Sequence, residues 1–496
     1  MRGPERSWLR SDDGTRLLAL REQTTDQVRT LGARQLSNTA HAIAKLDLRG
    51  MAWGILWKDL GGAALVRRSE FEPQELANTA WAFATAGHAA PGLFDAIGKE
   101  AAGRVRELNP QALANTAWAF AKAGHAAPAL FDAIGREAAG RVRELNPQNL
   151  ANTAWAFATA GHGAPALFDA IGKEAVGRVG EFLPQNLSNT AWAFAKAGHA
   201  APVLFDAIGR EATGRVHELN PQNMAKTAWA FAKAGHAAPA LFDAIGEEAA
   251  GRVRDFKPQE LSNAAWAFAT AGHAAPALFD AIGREAAERV RELNPQGMAN
   301  TAWAFAVLDH LPSESSLFDQ RFAHHCDALA HEFNSLHLCQ LHQWRLWYAS
   351  ERACSDALPG AVLMARCDAA FRAAEAHPSR LQRDVGKALA SLGASVQEEK
   401  LLEEGYSLDL VVDWRGERLA VEADGPSHFV GRVPTGATLF KRRQLRHFGW
   451  RLVSVPYWEW DELHHPDQSK EREQRAAYLS SLLSKEASSM TGSGCD

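Results

Sequence analysis

Apolar residues follow a helical spacing through most of this chain, and the same pattern restarts every 37 residues. A Pro-Gln pair opens each copy, at Pro73, Pro110, Pro147, Pro184, Pro221, Pro258 and Pro295. The first apolar stretch of a copy ends at a Gly-His pair such as Gly87-His88, and a second stretch starts near another proline such as Pro91. A constant period of this length is typical of solenoids. We therefore predict a mainly α protein built as an array of two-helix repeats.

The first helix of each repeat divides into two faces when its residues are placed about 100° apart. In the repeat that starts at Pro73, the apolar face comprises Leu76, Ala77, Ala80, Trp81, Phe83 and Ala84. The opposite face comprises Glu75, Asn78, Thr79, Ala82, Thr85 and Ala86. This second face carries amides, hydroxyls and small residues in place of the usual mixture of Glu and Lys. We predict that it is the binding surface.

The repeats differ from one another mainly on this predicted surface. The third position is occupied by Glu75, Ala112, Asn149, Asn186, Asn223, Glu260 and Gly297. The middle position is occupied by Asn78, Asn115, Asn152, Asn189, Lys226, Asn263 and Asn300. The position near the helix end is occupied by Thr85, Lys122, Thr159, Lys196, Lys233, Thr270 and Val307.

One set of amides per repeat is suited to recognising the bases of single-stranded RNA. On this interpretation the third and middle positions select bases, and the lysines contact phosphates. The alternative is structural, because ladders of Asn also bond adjacent repeats together.

The array is bounded by degenerate repeats, as expected where an apolar face has no further neighbour. We predict an N-terminal extension at 1–32, a capping repeat at 33–72, the seven-copy array at 73–310, and a degenerate repeat with a helical linker at 311–378. The degenerate repeat contains a cluster of histidines and cysteines: His324, His325, Cys326, His331, His337, Cys339 and His342. Their spacing matches no standard zinc finger, which favours surface histidines and core cysteines.

Composition changes this picture in two respects. A net charge of −5 argues against a nonspecific nucleic-acid binder, so RNA binding would need local basic patches. The five cysteines form no CxxC pair, which indicates a reducing compartment. No apolar run reaches the length of a membrane span, and residues 1–32 suit a transit peptide poorly because acidic residues interrupt them.

A second domain is predicted at 379–465, followed by a polar tail at 466–496. Residues 379–393 form an amphipathic helix, residues 408–412, 418–423 and 451–455 have the pattern of strands, and residues 435–449 form a basic helix. The order α-β-β-α-β is that of a small α/β domain.

Three carboxylates in this domain are candidates for a catalytic metal site. Asp409 lies in one strand, and Glu422 and Asp424 end the next, so a hairpin would bring them to one edge, where they would hold Mg²⁺ for phosphodiester cleavage. Lys441, Arg442 and Arg443 would face the same phosphate. The alternative is that Asp424 only caps a turn.

The stretch from Tyr406 to Trp460 resembles the RAP domain through its segments YSLDLVVD, VEADGPSHF, PTGATLFKRRQLRHFGW and VSVPYWEW. The NTAWAFA repeats are similar to those of octotricopeptide-repeat and FAST-kinase-like organellar proteins. The resemblance implies a restriction-endonuclease-like fold and RNA binding in a mitochondrion or chloroplast. In that nuclease superfamily a catalytic Lys stands where this chain has Asp424, so Lys441 would have to substitute for it.

We therefore expect a single-stranded RNA-binding protein acting in RNA processing, stability or translation. The RAP-like domain would either clamp the bound strand with its basic helix or cleave it, and the missing Lys favours the clamp. Binding would need no cofactor, and Mg²⁺ would be needed only for cleavage. Further expected partners are the ribosome and RNA-processing proteins. The alternative is a protein-interaction scaffold.

Overall fold

The structure is a computed structural model that describes residues 14–48, 51–311, 317–354, 357–373 and 378–488. It divides the chain into two compact bodies, Met1–Leu219 and Asn220–Asp496, with the boundary between two repeats. Part of the predicted N-terminal extension, the end of the predicted tail and Cys495 lie outside the described residues.

The N-terminal body consists of helices arranged as consecutive pairs. They are α1 (Gly14–Gln27), α2 (Ala33–Lys45), α3 (Met51–Val66), α4 (Pro73–Ala86), α5 (Pro91–Gly103), α6 (Pro110–Ala123), α7 (Pro128–Gly140), α8 (Pro147–Ala160), α9 (Pro165–Gly177), α10 (Pro184–Ala197) and α11 (Pro202–Gly214). A 3-10 turn follows each second helix, as at Val105–Glu107 after α5. The predicted two-helix repeat is confirmed, and α2 and α3 lie in the segment 33–72, for which the sequence predicts a capping repeat.

The ends of the first helices follow from local sequence. From α4 onward each first helix begins at its proline, which lacks the N–H that would have no partner in the first turn. Each first helix from α4 to α10 ends at a glycine in the left-handed region, such as Gly87 with φ of 66°. Asn109 caps α6, because its side-chain oxygen accepts a hydrogen bond from the Ala112 N–H at 2.8 Å.

Successive repeats meet at a recurring joint between a glycine and a phenylalanine. The buried Phe120 ring lies against Gly98 of the preceding repeat, where a Cβ atom would stand 3.3 Å from the ring. The same pairing joins Gly61 to Phe83, Gly135 to Phe157 and Gly172 to Phe194. The glycine lets the second helix approach the aromatic ring of the following repeat closely.

Polar bonds also cross between repeats. His125 bonds the Asp95 carboxylate of the preceding repeat at 2.9 Å, and His162 bonds Asp132 in the same way. Arg141 donates to the Leu108 carbonyl at 2.9 Å while it is paired with Glu144. These contacts fix the angle between neighbouring pairs of helices.

The C-terminal body continues the array and then changes architecture. Its helices are α12 (Pro221–Ala234), α13 (Pro239–Gly251), α14 (Pro258–Ala271), α15 (Pro276–Glu288), α16 (Pro295–Val307), α17 (Gln320–Ala328), α18 (Ser335–Leu346) and α19 (Ala361–Arg372). The pair α17 and α18 is the predicted degenerate repeat. Leu341 and Trp344 of α18 are fully buried, whereas Leu336 is exposed. Over the described residues no helix is long and apolar enough to cross a membrane.

The α/β domain is built on a four-stranded sheet. Its elements are α20 (Arg380–Ser391), β1 (Ser395–Leu401), β2 (Ser407–Trp414), β3 (Glu417–Asp424), β4 (Phe429–Val430), β5 (Val433–Pro434), α21 (Gly436–His447), β6 (Arg451–Pro456), α22 (Tyr457–Glu462) and α23 (Gln468–Ser488). The sheet order is β1-β2-β3-β6, antiparallel except for the parallel pair β3 and β6. The predicted helices and strands are confirmed, and β1 is an additional edge strand.

Helices cover both faces of this sheet. Val385 of α20 and Leu479 of α23 are buried on one face, and Leu445 of α21 is buried on the other. The prediction of a polar tail from residue 466 is therefore wrong for 468–488, which form a helix that completes the core. Its mostly polar sequence gave no sign that two of its leucines, Leu479 and Leu483, are fully buried.

The α/β domain packs directly on the last repeats. Gly436 at the start of α21 lies against Ala269 of α14, so closely that a Cβ atom would overlap the Ala269 carbonyl oxygen. Arg443 donates to the carbonyl oxygens of Ala306 and Val307 at the end of α16. The Ala306 carbonyl also accepts from the Asp309 N–H, so Arg443 adds a second hydrogen bond there and binds Val307 at the C-terminal end of the helix, where carbonyls lack intrahelical partners.

A candidate nucleic-acid interface and a buried carboxylate cluster

From α4 to α14, each first helix has a stripe of four positions that reaches the surface. In α4 these are Gln74, Asn78, Trp81 and Thr85, all partly exposed and spaced so that they lie along one side of the helix. We call this set and its equivalents the exposed stripe. Thr79, which the sequence placed on the binding face, is buried. Ala82 is likewise buried, because neighbouring first helices cover this side of α4.

The same stripe recurs along both bodies. Its glutamines are Gln111, Gln148, Gln185, Gln222 and Gln259, all exposed. Its middle residues Asn115, Asn152, Asn189, Lys226 and Asn263 are partly exposed. In α16 the stripe is covered, because Asn300 is buried and its amide oxygen accepts a hydrogen bond from Gln340 of α18 at 3.0 Å. Asn300 is therefore not at the surface where the sequence placed it.

Tryptophan is the residue of this stripe that the sequence pattern assigned to the core. Trp81, Trp118, Trp155 and Trp192 of the N-terminal body are partly exposed, and neighbouring ring centroids lie 6.1 to 6.4 Å apart. The planes of neighbouring rings are inclined by 28° to 31°. In the C-terminal body Trp229 and Trp266 repeat the arrangement at 6.2 Å. In the sequence, these tryptophans stand three residues after the polar middle position, and this spacing places them on the same side of the helix as that exposed residue.

The third position of the helix is not part of this surface. The side chains of Asn149, Asn186 and Asn223 are only 5 to 7% exposed, and Ala112 and Gly297 are also buried. Glu75 and Glu260 remain partly exposed. The prediction that this position is an exposed base-selecting set is therefore wrong, because five of its seven residues are buried.

Helix capping accounts for the variation at this position. Where an Asn precedes the proline, as at Asn146, it caps the helix by accepting from the third residue's N–H. Where no Asn precedes the proline, the side chain of the third residue accepts a hydrogen bond from the N–H of the residue before the proline. Asn186 accepts in this way from the Leu183 N–H at 3.2 Å, and Glu260 from the Lys257 N–H at 2.9 Å. Glu75 does the same for Glu72, at 3.0 Å.

Lysines supply the positive charge of the stripe. Lys122, Lys196 and Lys233 are exposed near the ends of their helices. Lys226 replaces the middle Asn and is less exposed, and burial lowers the pKa of its ammonium group. Each of these three lysines is a local positive charge on the exposed stripe of its own helix.

The carboxylates of the α/β domain lie where the sequence predicted but are already neutralised. Glu422 and Asp424 alternate with core residues of β3 and face α21. The Lys441 ammonium group lies 2.5 Å from Glu422, and Arg442 lies 2.6 Å from Asp424. Asp409 accepts a hydrogen bond from the Ala423 N–H at 2.8 Å.

Asp424 is a buried hub and not the cap of an exposed turn. One carboxylate oxygen lies 2.7 Å from the His428 ring nitrogen, and the other accepts from Ser454 and Arg442. Burial acts to raise the pKa of Asp424, but these hydrogen bonds and the guanidinium charge outweigh it and hold the pKa below its usual value. No pattern in the sequence singles out His428 or Ser454 for this role.

The two other carboxyl groups, Glu422 and Asp409, have raised pKa values, because burial outweighs the favourable contacts there. Burial raises the pKa of Glu422 to about 7, against the attraction of Lys441, and it also raises the pKa of Asp409. The pKa of Lys441 is raised despite burial, because Glu422 and Asp409 stabilise its charge. Lys441 does reach the predicted edge, but as the ion-pair partner of Glu422.

Magnesium does not fit this arrangement. The cations of α21 occupy the positions beside the carboxylates that a metal ion would take, and Asp424 is fully satisfied by protein donors. Among the described residues, no group of three or more His, Cys, Asp and Glu side chains is placed to hold a metal ion. This includes the histidines and cysteines of the degenerate repeat, where His342 instead bonds the Glu404 carbonyl at 2.9 Å.

The three predicted phosphate-binding cations of the basic helix α21 also form ion pairs within the protein. Besides the pairs made by Lys441 and Arg442, Arg443 lies 2.9 Å from the Glu351 carboxylate. The expectation that these three cations face a phosphate is therefore not met by their positions. Lys441 and Arg442 border a cavity of about 400 Å³ whose other walls include Tyr406 and His428.

Comparison with known proteins gives matches to both parts of the chain. The family model described as RNA-editing substrate-binding complex 6 protein matches residues 61–315, just over half of the chain. The RAP domain model matches residues 421–482, from the middle of β3 into α23, which includes Glu422 and Lys441 but not Asp409.

A rice protein, from Oryza sativa subsp. japonica, named RAP domain-containing protein, chloroplastic, is 44% identical over 88 residues. The match covers 17% of this chain and 13% of the rice protein. The two proteins thus share one short segment, and this chain spans only a small part of its relative's length.

Proposed function

Because this chain belongs to the RNA-editing substrate-binding complex 6 protein family and carries a RAP domain, we propose that it binds single-stranded RNA along the exposed stripe. The observation that carries the proposal is the stripe itself. It presents the amides of Gln and Asn and an indole ring, repeated in register along each body, and three repeats add a lysine, at Lys122, Lys196 and Lys233. Single-stranded RNA offers unstacked bases and phosphates to such a surface, whereas a duplex hides its base edges.

The salt dependence of binding tests this proposal. Full-length protein is titrated with a single-stranded RNA of mixed sequence and with its duplex at several salt concentrations. We expect the single strand to bind more tightly. Changing Lys122, Lys196 and Lys233 to Ala should weaken binding and lower the salt slope by about 2, at about 0.7 for each phosphate that a lysine no longer neutralises.

A matched control uses lysines on other helices. Lys58, Lys99 and Lys173 are exposed on second helices of the repeats, so their change to Ala removes the same charge away from the stripe. Equal weakening by the two triple variants would show that general charge, and not the stripe, binds RNA. Absence of binding by the unmodified protein would favour the protein-scaffold alternative.

We assign the RAP domain a non-catalytic part in this function. The ion pairs of Glu422 with Lys441 and of Asp424 with Arg442 already engage both carboxylates, and they also engage two of the cations expected to form the clamp. The domain instead closes the end of the array by packing on α14 and α16. Strand cleavage that depends on Mg²⁺ and is lost in Glu422→Gln would overturn this assignment.

An organelle is the proposed location, and processing, stability or translation of its transcripts is the proposed role. Support comes from the rice relative, whose name places it in chloroplasts, and from the RNA-editing family. Imaging of the tagged protein with mitochondrial and plastid markers tests the location. Crosslinking to RNA in cells and sequencing the recovered RNA tests the role.

A further inference from the structure

The indoles of the exposed stripe are placed unlike the other aromatic residues of the array. Phe83, Phe120 and Phe157, two positions further along their helices, are no more than 1% exposed. Trp81 and Trp118, like their equivalents in the following repeats, keep part of their rings in contact with water. Exposed aromatic surface repeated in register is unfavourable for a core and is typical of a binding surface.

The rings form a continuous row within the N-terminal body. It begins at His41 of the capping repeat, which holds the position of the tryptophan and lies 4.8 Å from the Trp81 ring. It continues with spacings of 6.1 to 6.4 Å through Trp118 and Trp155 to Trp192. In the C-terminal body the equivalent position is covered in α16, where Trp303 is 7% exposed and its N–H donates to Gln343.

The spacing of the rings determines what kind of strand fits. Stacked bases in a duplex strand advance by about 3.4 Å per nucleotide, little more than half the distance between neighbouring indoles. A strand that places one base on each ring must therefore be extended, with its bases unstacked from one another. Exposed indoles offer those bases an alternative stacking partner.

Polar groups flank every ring in the order that an extended strand requires. The Gln and Asn of the stripe lie one to two turns before the ring, and Lys122 or Lys196 lies one turn after it in alternate repeats. Amides can bond base edges, and lysines suit phosphates. Stacking itself accepts every base, since all bases have a π-face.

We propose that the partly exposed indoles form a stacking shelf on which bases of an extended single strand lie, one nucleotide per repeat. This inference rests on the proposed RNA-binding function and specifies its contact surface and register. Because the shelf accepts all bases, it predicts tight binding with little sequence selectivity from the tryptophans. Selectivity would come from the flanking amides.

Removing the bases from the RNA tests the shelf separately from the phosphate contacts. Full-length protein is titrated with a single-stranded RNA and with the same RNA carrying abasic sites at four consecutive positions. We expect the abasic RNA to bind at least tenfold more weakly, given about 1 to 3 kcal/mol for each stacked base. Equal affinity for the two RNAs would overturn the shelf while leaving RNA binding intact.

Variants of the tryptophans, titrated with the same intact and abasic RNAs, test whether the indole rings cause the preference for intact RNA. Trp118→Leu with Trp155→Leu keeps apolar bulk but removes two of the four indole rings of the N-terminal row, so it should bind intact RNA at least tenfold more weakly and show a smaller preference for intact over abasic RNA. The matched Trp118→Phe and Trp155→Phe variant keeps aromatic faces and should retain most of the affinity.

The outcomes separate the shelf from the proposed function. If the leucine variant keeps full affinity and the full preference for intact RNA, the shelf is wrong. If the leucine variant does not fold by circular dichroism, the abasic comparison on the wild-type protein decides alone. If no RNA binds to the wild-type protein, the proposed function fails together with the shelf.

Discussion

Capping of the first helices can be tested with a pair of asparagines that differ in one hydrogen bond. Asn149 and Asn186 occupy the same position in the same PQNL sequence and are about equally buried, at 6 and 7% exposure. Asn186 alone accepts a hydrogen bond from the residue before the proline, the Leu183 N–H, because leucine has no capping side chain. At the other site Asn146 caps the helix itself.

Changing each asparagine to alanine should therefore cost different amounts of stability. Asn149→Ala and Asn186→Ala remove similar buried amides, but only Asn186→Ala also removes a capping hydrogen bond. A cap of this kind contributes about 1 kcal/mol. We expect the free energy of unfolding to fall by about 1 kcal/mol more in Asn186→Ala, a difference measurable by urea unfolding followed by circular dichroism.

A second change supplies the rescue. Leu183→Asn in the Asn186→Ala protein places a capping asparagine before the proline, as at Asn146, and should restore about 1 kcal/mol of stability. The same Leu183→Asn change in the wild-type protein should stabilise it less, since α10 already has a cap. Equal losses of stability at the two asparagines, or no rescue, would refute the capping explanation of the variation between repeats.

Two further predictions concern the α/β domain. Gly436→Ala should detach it from α14, seen as faster proteolysis of the linker and a separate unfolding step, whereas Gly425→Ala, with open space at its Cβ, should do neither. Glu422 has a raised pKa, so its stabilising effect is complete below pH 4.5 and lost as pH rises through 7. Urea unfolding between pH 5 and 8 should show a decrease of up to about 3 kcal/mol in the free energy of unfolding, and Glu422→Gln should flatten that profile.

Helix boundaries in the array were predictable because their signals are local. Pro73 and Gly87 each act on the conformation of their own backbone, so the sequence alone places both ends of α4. The strands of the α/β domain were predictable for a similar reason, since the middle of β3 is a run of apolar residues. By contrast, β1 is a mostly polar edge strand, and its pairing with β2 carries no local signal.

The surface of the array was predicted less well, because burial there depends on the neighbouring repeats. Trp81 has the hydrophobicity of a core residue, and only its position between Asn78 and Thr85 shows that it reaches solvent. Asn149 is polar and was placed on the surface, yet the adjacent helices bury it. No spacing rule for a single helix contains that information.

Long-range ion pairs could not be predicted from the sequence either. The basic character of α21 was evident, but the partners of its cations come from distant segments, such as Glu351 for Arg443. The sequence predicted that Lys441, Arg442 and Arg443 clamp phosphate. In the structure these cations form ion pairs within the protein, which fix the α/β domain in place.

The joint between Gly98 and Phe120 has a consequence for how such an array changes in length. Each repeat presents the glycine on one side and the phenylalanine on the other, so the joints along the N-terminal body are built from the same two parts. Deleting or duplicating one whole 37-residue segment recreates an existing joint, whereas any partial insertion breaks one. Gene rearrangements that respect this period can therefore lengthen or shorten the protein without new compensating substitutions.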